Sequence, residues 1–326
     1  MRKAKYVPLL LLISVAAATL FPAILKTEPP IKLVFAETLS NLDEPTPYFY
    51  RDVAHLQSET YFSFSIIAYN NDVETLYFKV TGEAPQYTFA TVDLGPIAQS
   101  KNSGYRLLSN FARRPRPNPS EFVGGEMEET IKLILMAYRD SNCTVLKWTY
   151  ERNAKVKWIN SSDPSFTVVL NDNFNDGQVN GWKSKQKGSS QEGTMQISSE
   201  KVLSVPYSAY KSTWPGYDGT YSYEFYKQVS VPSANKAYAV INVLVEGRSR
   251  DGRHTNPDYI YVHYGSTQLA CVGPDVTEST WLRFVVPLTP GTTDILKITV
   301  TTHYTSSSGF GLACDNYLDD VLIVVK

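Results

Sequence analysis

Short runs of β-branched and aromatic residues recur along this sequence, each closed by turn residues, and no stretch sustains a long helical period. That rhythm excludes helix bundles and alternating α/β folds and leaves packed sheets. In the first half, strands are expected at 61–69, 74–81, 86–94, 105–112, 130–138, 145–150 and 165–170. Asn70-Asn71-Asp72 and Val123-Gly124-Gly125 mark turns between them. In the second half, strands are expected at 194–198, 201–205, 220–231, 237–246, 258–264, 281–287, 294–302 and 317–325. The 22 tyrosines agree, since the ring packs on a pleated surface while the hydroxyl stays wet. The fold class is all-β: an immunoglobulin-like sandwich over 61–170, then a jelly roll over 171–326.

Two segments precede the sandwiches. Arg2, Lys3 and Lys5 open a basic region, followed by an apolar run from Val7 to Leu25. Charge followed by apolarity marks an export signal or a membrane anchor, and the early cations keep the N-terminus inside. Val34-Phe35-Ala36 offers a small-residue cleavage pattern, with a weaker one near Ala16-Ala17-Ala18, so residues 1–36 are read as signal peptide or single-pass anchor. Residues 37–60, with Pro45 and Pro47 among polar residues, read as a spacer. The expected location is extracellular or at the cell surface.

Lys+Arg 31 against Asp+Glu 32 leaves a net charge of -1, which gives no bulk attraction for nucleic acid. Cys271 and Cys314 fall in one domain and could form a disulfide, leaving Cys143 over. No C-x-x-C is present, which disfavours structural zinc. Asn142-Cys143-Thr144 and Asn160-Ser161-Ser162 are N-glycosylation triplets. The proline-spaced run 113–119, with Arg113, Arg114 and Arg116, reads either as a basic contact finger or as a stiff solvated loop. His55, His254, His263 and His303 show no spacing of a metal site or a nucleophile–base pair. No catalytic residue is assigned, and the protein is expected not to be an enzyme.

Residues 172–182, Asp-Asn-Phe-Asn-Asp-Gly-Gln-Val-Asn-Gly-Trp, resemble the opening strand of the carbohydrate-binding jelly rolls, the galactose-binding-like modules of many secreted proteins. Residues 317–324, Tyr-Leu-Asp-Asp-Val-Leu-Ile-Val, resemble their last strand. The resemblance covers 171–326 and implies that first and last strands lie together, often around a structural calcium. Asp172, Asn175, Asp176 and Asp320 would then supply oxygen ligands; otherwise they shape turns and strand ends. It also implies glycan binding by exposed rings and nearby polar groups. Trp214 and Tyr217 bracket a Pro-Gly turn, and Arg250 and Asp251 lie in a later loop. Trp214 serves equally well as packing between domains or chains. The expected role is non-catalytic binding of a glycan or polysaccharide. The alternatives are a self-associating envelope or filament component and a polysaccharide hydrolase with an accessory module.

Overall fold

The computed structural model describes residues 29–35, 47–54, 59–187, 189–213, 219–248, 259–272, 281–304 and 313–326. Two units make up the chain, Met1–Pro30 and Ile31–Lys326, and both sandwiches lie in the second. Residues 1–28, which include the apolar run of the leader, lie outside the described residues. Among the described residues no helix is long and apolar enough to cross a membrane.

The first sandwich contains β1 (Ile31–Phe35), β2 (Tyr48–Asp52), β3 (Glu59–Asn70), β4 (Leu76–Glu83) and β5 (Thr88–Phe89). It continues with β6 (Val92–Ile97), β7 (Lys101–Asn102), β8 (Arg106–Pro115), β9 (Glu126–Tyr138) and β10 (Leu146–Ile159). One sheet runs β1-β3-β8-β5 with β7 on β3, and the other β2-β10-β9-β4-β6. Strict alternation builds the core. Phe62, Phe64, Ile66 and Ala68 of β3 face Ile131, Leu133, Leu135 and Ala137 of β9, with Trp158 of β10 edge-on to Phe62 at 5.6 Å.

β1 and β2 correct the reading of the N-terminal region. Ile31, Leu33 and Phe35 are fully buried, and β1 pairs antiparallel with β3, so this segment is core and not leader. β2 lies in the supposed spacer and pairs parallel with β10. Pro47 does not block it, because the proline precedes the strand and contributes its carbonyl, which accepts from Lys155 N at 2.8 Å.

The proline-spaced basic run departs from both readings at Arg114, while Arg113 and Arg116 are exposed. β8 continues through it to Pro115, and Arg114 turns inward, with its side chain 1% exposed. Its Nη2 donates to Glu129 Oε1 at 2.7 Å, while Glu129 Oε2 accepts from Trp158 Nε1 at 2.8 Å and Tyr87 Oη at 2.6 Å. Burial and this carboxylate together raise the Tyr87 hydroxyl far above its ordinary range.

The second sandwich begins with β11 (Thr167–Asp172), β12 (Lys183–Gln186), β13 (Gly193–Thr194), β14 (Gln196–Ser198), β15 (Ser208–Thr213) and β16 (Gly219–Ser230). β17 (Ala237–Arg248), β18 (Tyr259–Tyr264), β19 (Thr267–Val272), β20 (Leu282–Leu288), β21 (Thr293–Tyr304) and β22 (Ala313–Val325) follow. One sheet runs β14-β15-β22-β17-β20 with β11 on β22, and the other β13-β12-β16-β21-β18-β19. First and last strands pair directly, Asp172 opposite Val321. Residues 201–205 are not a strand. The amides of Leu203 and Ser204 donate to Asp319 Oδ2 at 2.9 and 3.0 Å, so side chain replaces ladder. β15 instead forms just before the turn of Trp214 and Tyr217, with Tyr210 packed on Tyr317 at 5.0 Å.

The sandwiches meet without a linker. Ile159 and Phe166 pack on Tyr238, Val240, Val285 and Val324 in a separate apolar cluster. Gly125, at φ +75°, allows the close approach: a Cβ there would stand 2.7 Å from the Phe166 ring. Beside it, buried Glu126 accepts from Tyr238 Oη at 2.6 Å and from Lys236 across the junction. Burial alone would raise the Glu126 carboxyl, but the hydrogen bonds from Lys236 and Tyr238 and the charge of Lys157 hold it below its ordinary range.

A depressed carboxyl stabilises the fold above its unfolded pKa and loses that contribution as pH falls through the lower, folded value. The junction is therefore expected to weaken on acidification below the ordinary glutamate range. Melting curves against pH should show an acid-side drop that is reduced in Glu126→Gln; superimposable pH profiles would refute this role for Glu126.

Candidate functional site

On β18 the sequence Tyr-Ile-Tyr-Val-His-Tyr alternates. Ile260, Val262 and Tyr264 enter the core, which forces Tyr259, Tyr261 and His263 onto the opposite face of the sheet. There they form a ladder, with Tyr259 and Tyr261 stacked at 5.8 Å and Tyr261 against His263 at 6.2 Å. Tyr105 of the first sandwich meets Tyr259 edge-on at 5.8 Å. All are only partly covered.

Strand register sets polar groups beside the rings. Tyr261 stands opposite Thr299 of β21, Thr299 opposite Glu224 of β16, and Glu224 opposite Lys185 of β12. The next row is His263, Lys297, Tyr226 and Lys183. Thr299 and Glu224 are buried although they face away from the core, so they form the floor of this face. Lys297 Nζ lies 3.2 Å from Glu224 Oε1, and Lys185 Nζ lies 3.5 Å from Oε2, so the carboxylate sits between two ammonium groups. Tyr226 donates to Glu192, and its hydroxyl is pushed up to about 12 by burial and by that carboxylate.

His263 is the unfinished part of the arrangement. Burial lowers its pKa, and the charges of Lys297 and Lys187 lower it further, which favours a neutral imidazole at physiological pH. Among the described residues its buried Nδ1 has no hydrogen-bond partner. A buried polar atom left unpaired is costly. The face thus combines ring surface with a hydroxyl, a carboxylate, ammonium groups and an imidazole. Such a set suits a ligand that is apolar on its C–H faces and polar at its edges.

No described protein family matches the sequence, and no curated protein does. Solved structures match by shape. One is from work on promiscuous specificity in carbohydrate-binding modules of the β-sandwich superfamily, at 12% identity and a TM-score of 0.35, covering 90% of this chain and 97% of that one. A second is the module TmCBM27, described for specific mannan recognition, at 13% identity and a TM-score of 0.32, covering 49% and 98%. A third is the Clostridium thermocellum xylanase 10B in complex with xylohexaose, at 16% and 0.33, covering 49% of this chain and 28% of that one. Several of the solved structures with this shape are carbohydrate-binding modules, and others are adhesin domains of Lys-gingipain and a bacteriophage tailspike domain. At these identities and scores the likeness is one of fold alone.

Other residues singled out in the sequence fall elsewhere. Trp214, Tyr217, Arg250 and Asp251 lie outside the described residues, as does the side chain of Cys314. Cys271 is buried on β19. Asn142 is exposed in a turn, and Asn160 is half-buried near the junction. Asp172 Oδ2 accepts from Trp182 Nε1 at 2.9 Å and from Lys227 Nζ at 2.7 Å, so an ammonium occupies the place a cation would take. Asp176 accepts from Gln178 N within its turn, and Asp320 accepts from Ser204 Oγ. Among the described residues no three His, Cys, Asp or Glu side chains group as a metal site.

The β18 ladder was missed by sequence reasoning because each residue was weighed separately. The alternation of Tyr259, Tyr261 and His263 with Ile260 and Val262 was the available signal.

Proposed function

We propose that this protein binds a glycan chain on the outward face of its second sandwich, without chemical conversion, and works outside the cell. The observation that carries the reading is the ladder Tyr259–Tyr261–His263, which faces away from the core and borders Thr299, Glu224 and Lys297. Rings contribute through the apolar faces of pyranoses, and the polar row addresses their hydroxyls. The basic and apolar N-terminal run supports export, with the protein either released or held at the membrane by that segment. Because Ile31–Phe35 is a core strand, any processing compatible with the fold falls upstream of it.

Tyr261→Ala tests the site. Loss of a central ring at a binding face is expected to weaken polysaccharide binding by about tenfold or more. Only part of the side chain is covered, so the melting temperature should change little. Isothermal titration against a panel of neutral polysaccharides reads the effect; equal affinity in variant and parent would place the site elsewhere.

A further inference from the structure

Where the two sandwiches diverge from their apolar contact, a cleft of about 540 Å³ opens between them. That volume lies within the range of small-ligand pockets, roughly 300–1,000 Å³. One wall comes from β2, β3 and β8 of the first sandwich, the other from β17, β19 and β20 of the second. Tyr48 and Tyr61 line it as rings more than a third exposed, and Trp281 lines it half-buried.

The polar element of this cleft is built by a defect in the sheet. Along β17 and β22 the register shifts between Val240 and Asn242, and Asp320 adopts φ +43°. Bulges of this kind re-aim side chains. Here Asn242, 2% exposed, donates through Nδ2 to the carbonyl of Asp320 at 3.1 Å and accepts Arg283 Nε on Oδ1 at 2.7 Å. Asn242 thereby holds Arg283 from the side and leaves the rest of the guanidinium to the cleft that it lines.

Among the described residues no carboxylate lies within 4 Å of Arg283. The two acids near enough to act on it, Asp52 and Asp320, are engaged elsewhere. Asp52 accepts from the amide and hydroxyl of Ser161 at 3.0 and 2.9 Å, and Asp320 accepts from Ser204 at 2.9 Å. Burial pushes the Arg283 pKa down, as expected for a cation that has lost water without gaining a contact ion. The other cleft arginine, Arg51, is committed to the Tyr50 carbonyl and to the face of Phe62.

A planar guanidinium with no contact anion among the described residues, fixed in a cleft with exposed rings, matches a carboxylate borne on a pyranose. We infer that the cleft between the sandwiches is a second binding site, selective for uronic-acid-bearing oligosaccharides, in which Arg283 receives the carboxylate and Tyr61 and Trp281 receive sugar rings. The inference rests on the glycan-binding reading only for the sugar part of the ligand; the anion preference stands on the cleft.

Calorimetric titration of the full chain with uronate tetramers (galacturonate, glucuronate and mannuronate), and with their methyl esters, tests it. The free acid of at least one tetramer should bind, its ester about tenfold or more weaker, and added salt should weaken only the acid. Arg283→Met should lose about tenfold or more for the acid while Tyr261→Ala keeps it. The acid–ester comparison uses the parent protein, so it stands even if Arg283→Met does not fold. Equal affinity for acid and ester, full acid binding by Arg283→Met, or no binding of any tetramer would each overturn the inference. If neutral polysaccharides bind Tyr261→Ala as well as parent while the acid results hold, the sheet-face reading fails and the cleft remains.

Discussion

Glu129→Ala is expected to cost about 3–5 kcal/mol of folding stability, a large fraction of what a domain of this size possesses. The reason is that one carboxylate serves three donors at once: Arg114 Nη2 at 2.7 Å, Trp158 Nε1 at 2.8 Å and Tyr87 Oη at 2.6 Å. Arg114 and Trp158 are fully buried, so neither recovers water when the partner leaves. Glu121, at 3.4 Å, is the remaining acid near Arg114 and lies on the more exposed side. Glu129→Gln keeps an acceptor and removes the charge, and should fall between parent and alanine variant. Urea denaturation reads all three proteins; a loss below about 1 kcal/mol for the alanine variant would show the cluster to be a replaceable surface pair.

The second large effect concerns the N-terminus. A chain beginning at Glu37 should not fold its first sandwich, whereas one beginning at Pro29 should. Removing β1 withdraws Ile31, Leu33 and Phe35, all fully buried, together with the ladder to β3 from Phe35–Ile66 to Ile31–Asn70. At about 1.5–3 kcal/mol for each side chain, the loss of burial is roughly 5–9 kcal/mol. That approaches the whole stability of an ordinary domain, about 5–15 kcal/mol. Near-ultraviolet circular dichroism and amide exchange compare the two chains, and native protection of β3 in the shorter one would contradict the assignment.

That β1 escaped the sequence reading has a physical explanation. Ile31-Lys-Leu-Val-Phe35 follows an apolar run and precedes a small residue, so composition merges it with the leader. Only pairing with β3 distinguishes a core strand from the tail of an export signal. Strands carrying their own alternation were legible: β9 shows Ile131, Leu133 and Leu135 at every second position, and β17 and β22 are almost wholly apolar near the junction. Arg114 illustrates the opposite case. A prolyl-arginyl run reads as solvated, and its burial depends on Tyr87, Glu129 and Trp158, which the fold brings from three other segments. The sheet-face site was half legible, since Tyr-Ile-Tyr-Val-His-Tyr shows which residues leave the core but not that Thr299 and Glu224 lie beside them. The cleft was not legible, because Arg283 and Tyr61 line one cavity only when sheets of the two sandwiches meet.

The junction has a consequence of its own. Ile159 and Phe166 sit directly on Tyr238, Val240 and Val324, and β11 follows β10 after two successive tight turns, so no flexible tether separates the sandwiches. The interval between the sheet face and the cleft is then a constant of the fold. A polymer long enough to touch both would meet the second at a high effective concentration once held at the first. A shorter oligomer would see two independent weak sites. The protein would then act as a gauge of chain length, and a single substitution at the junction would alter that measure without touching either site.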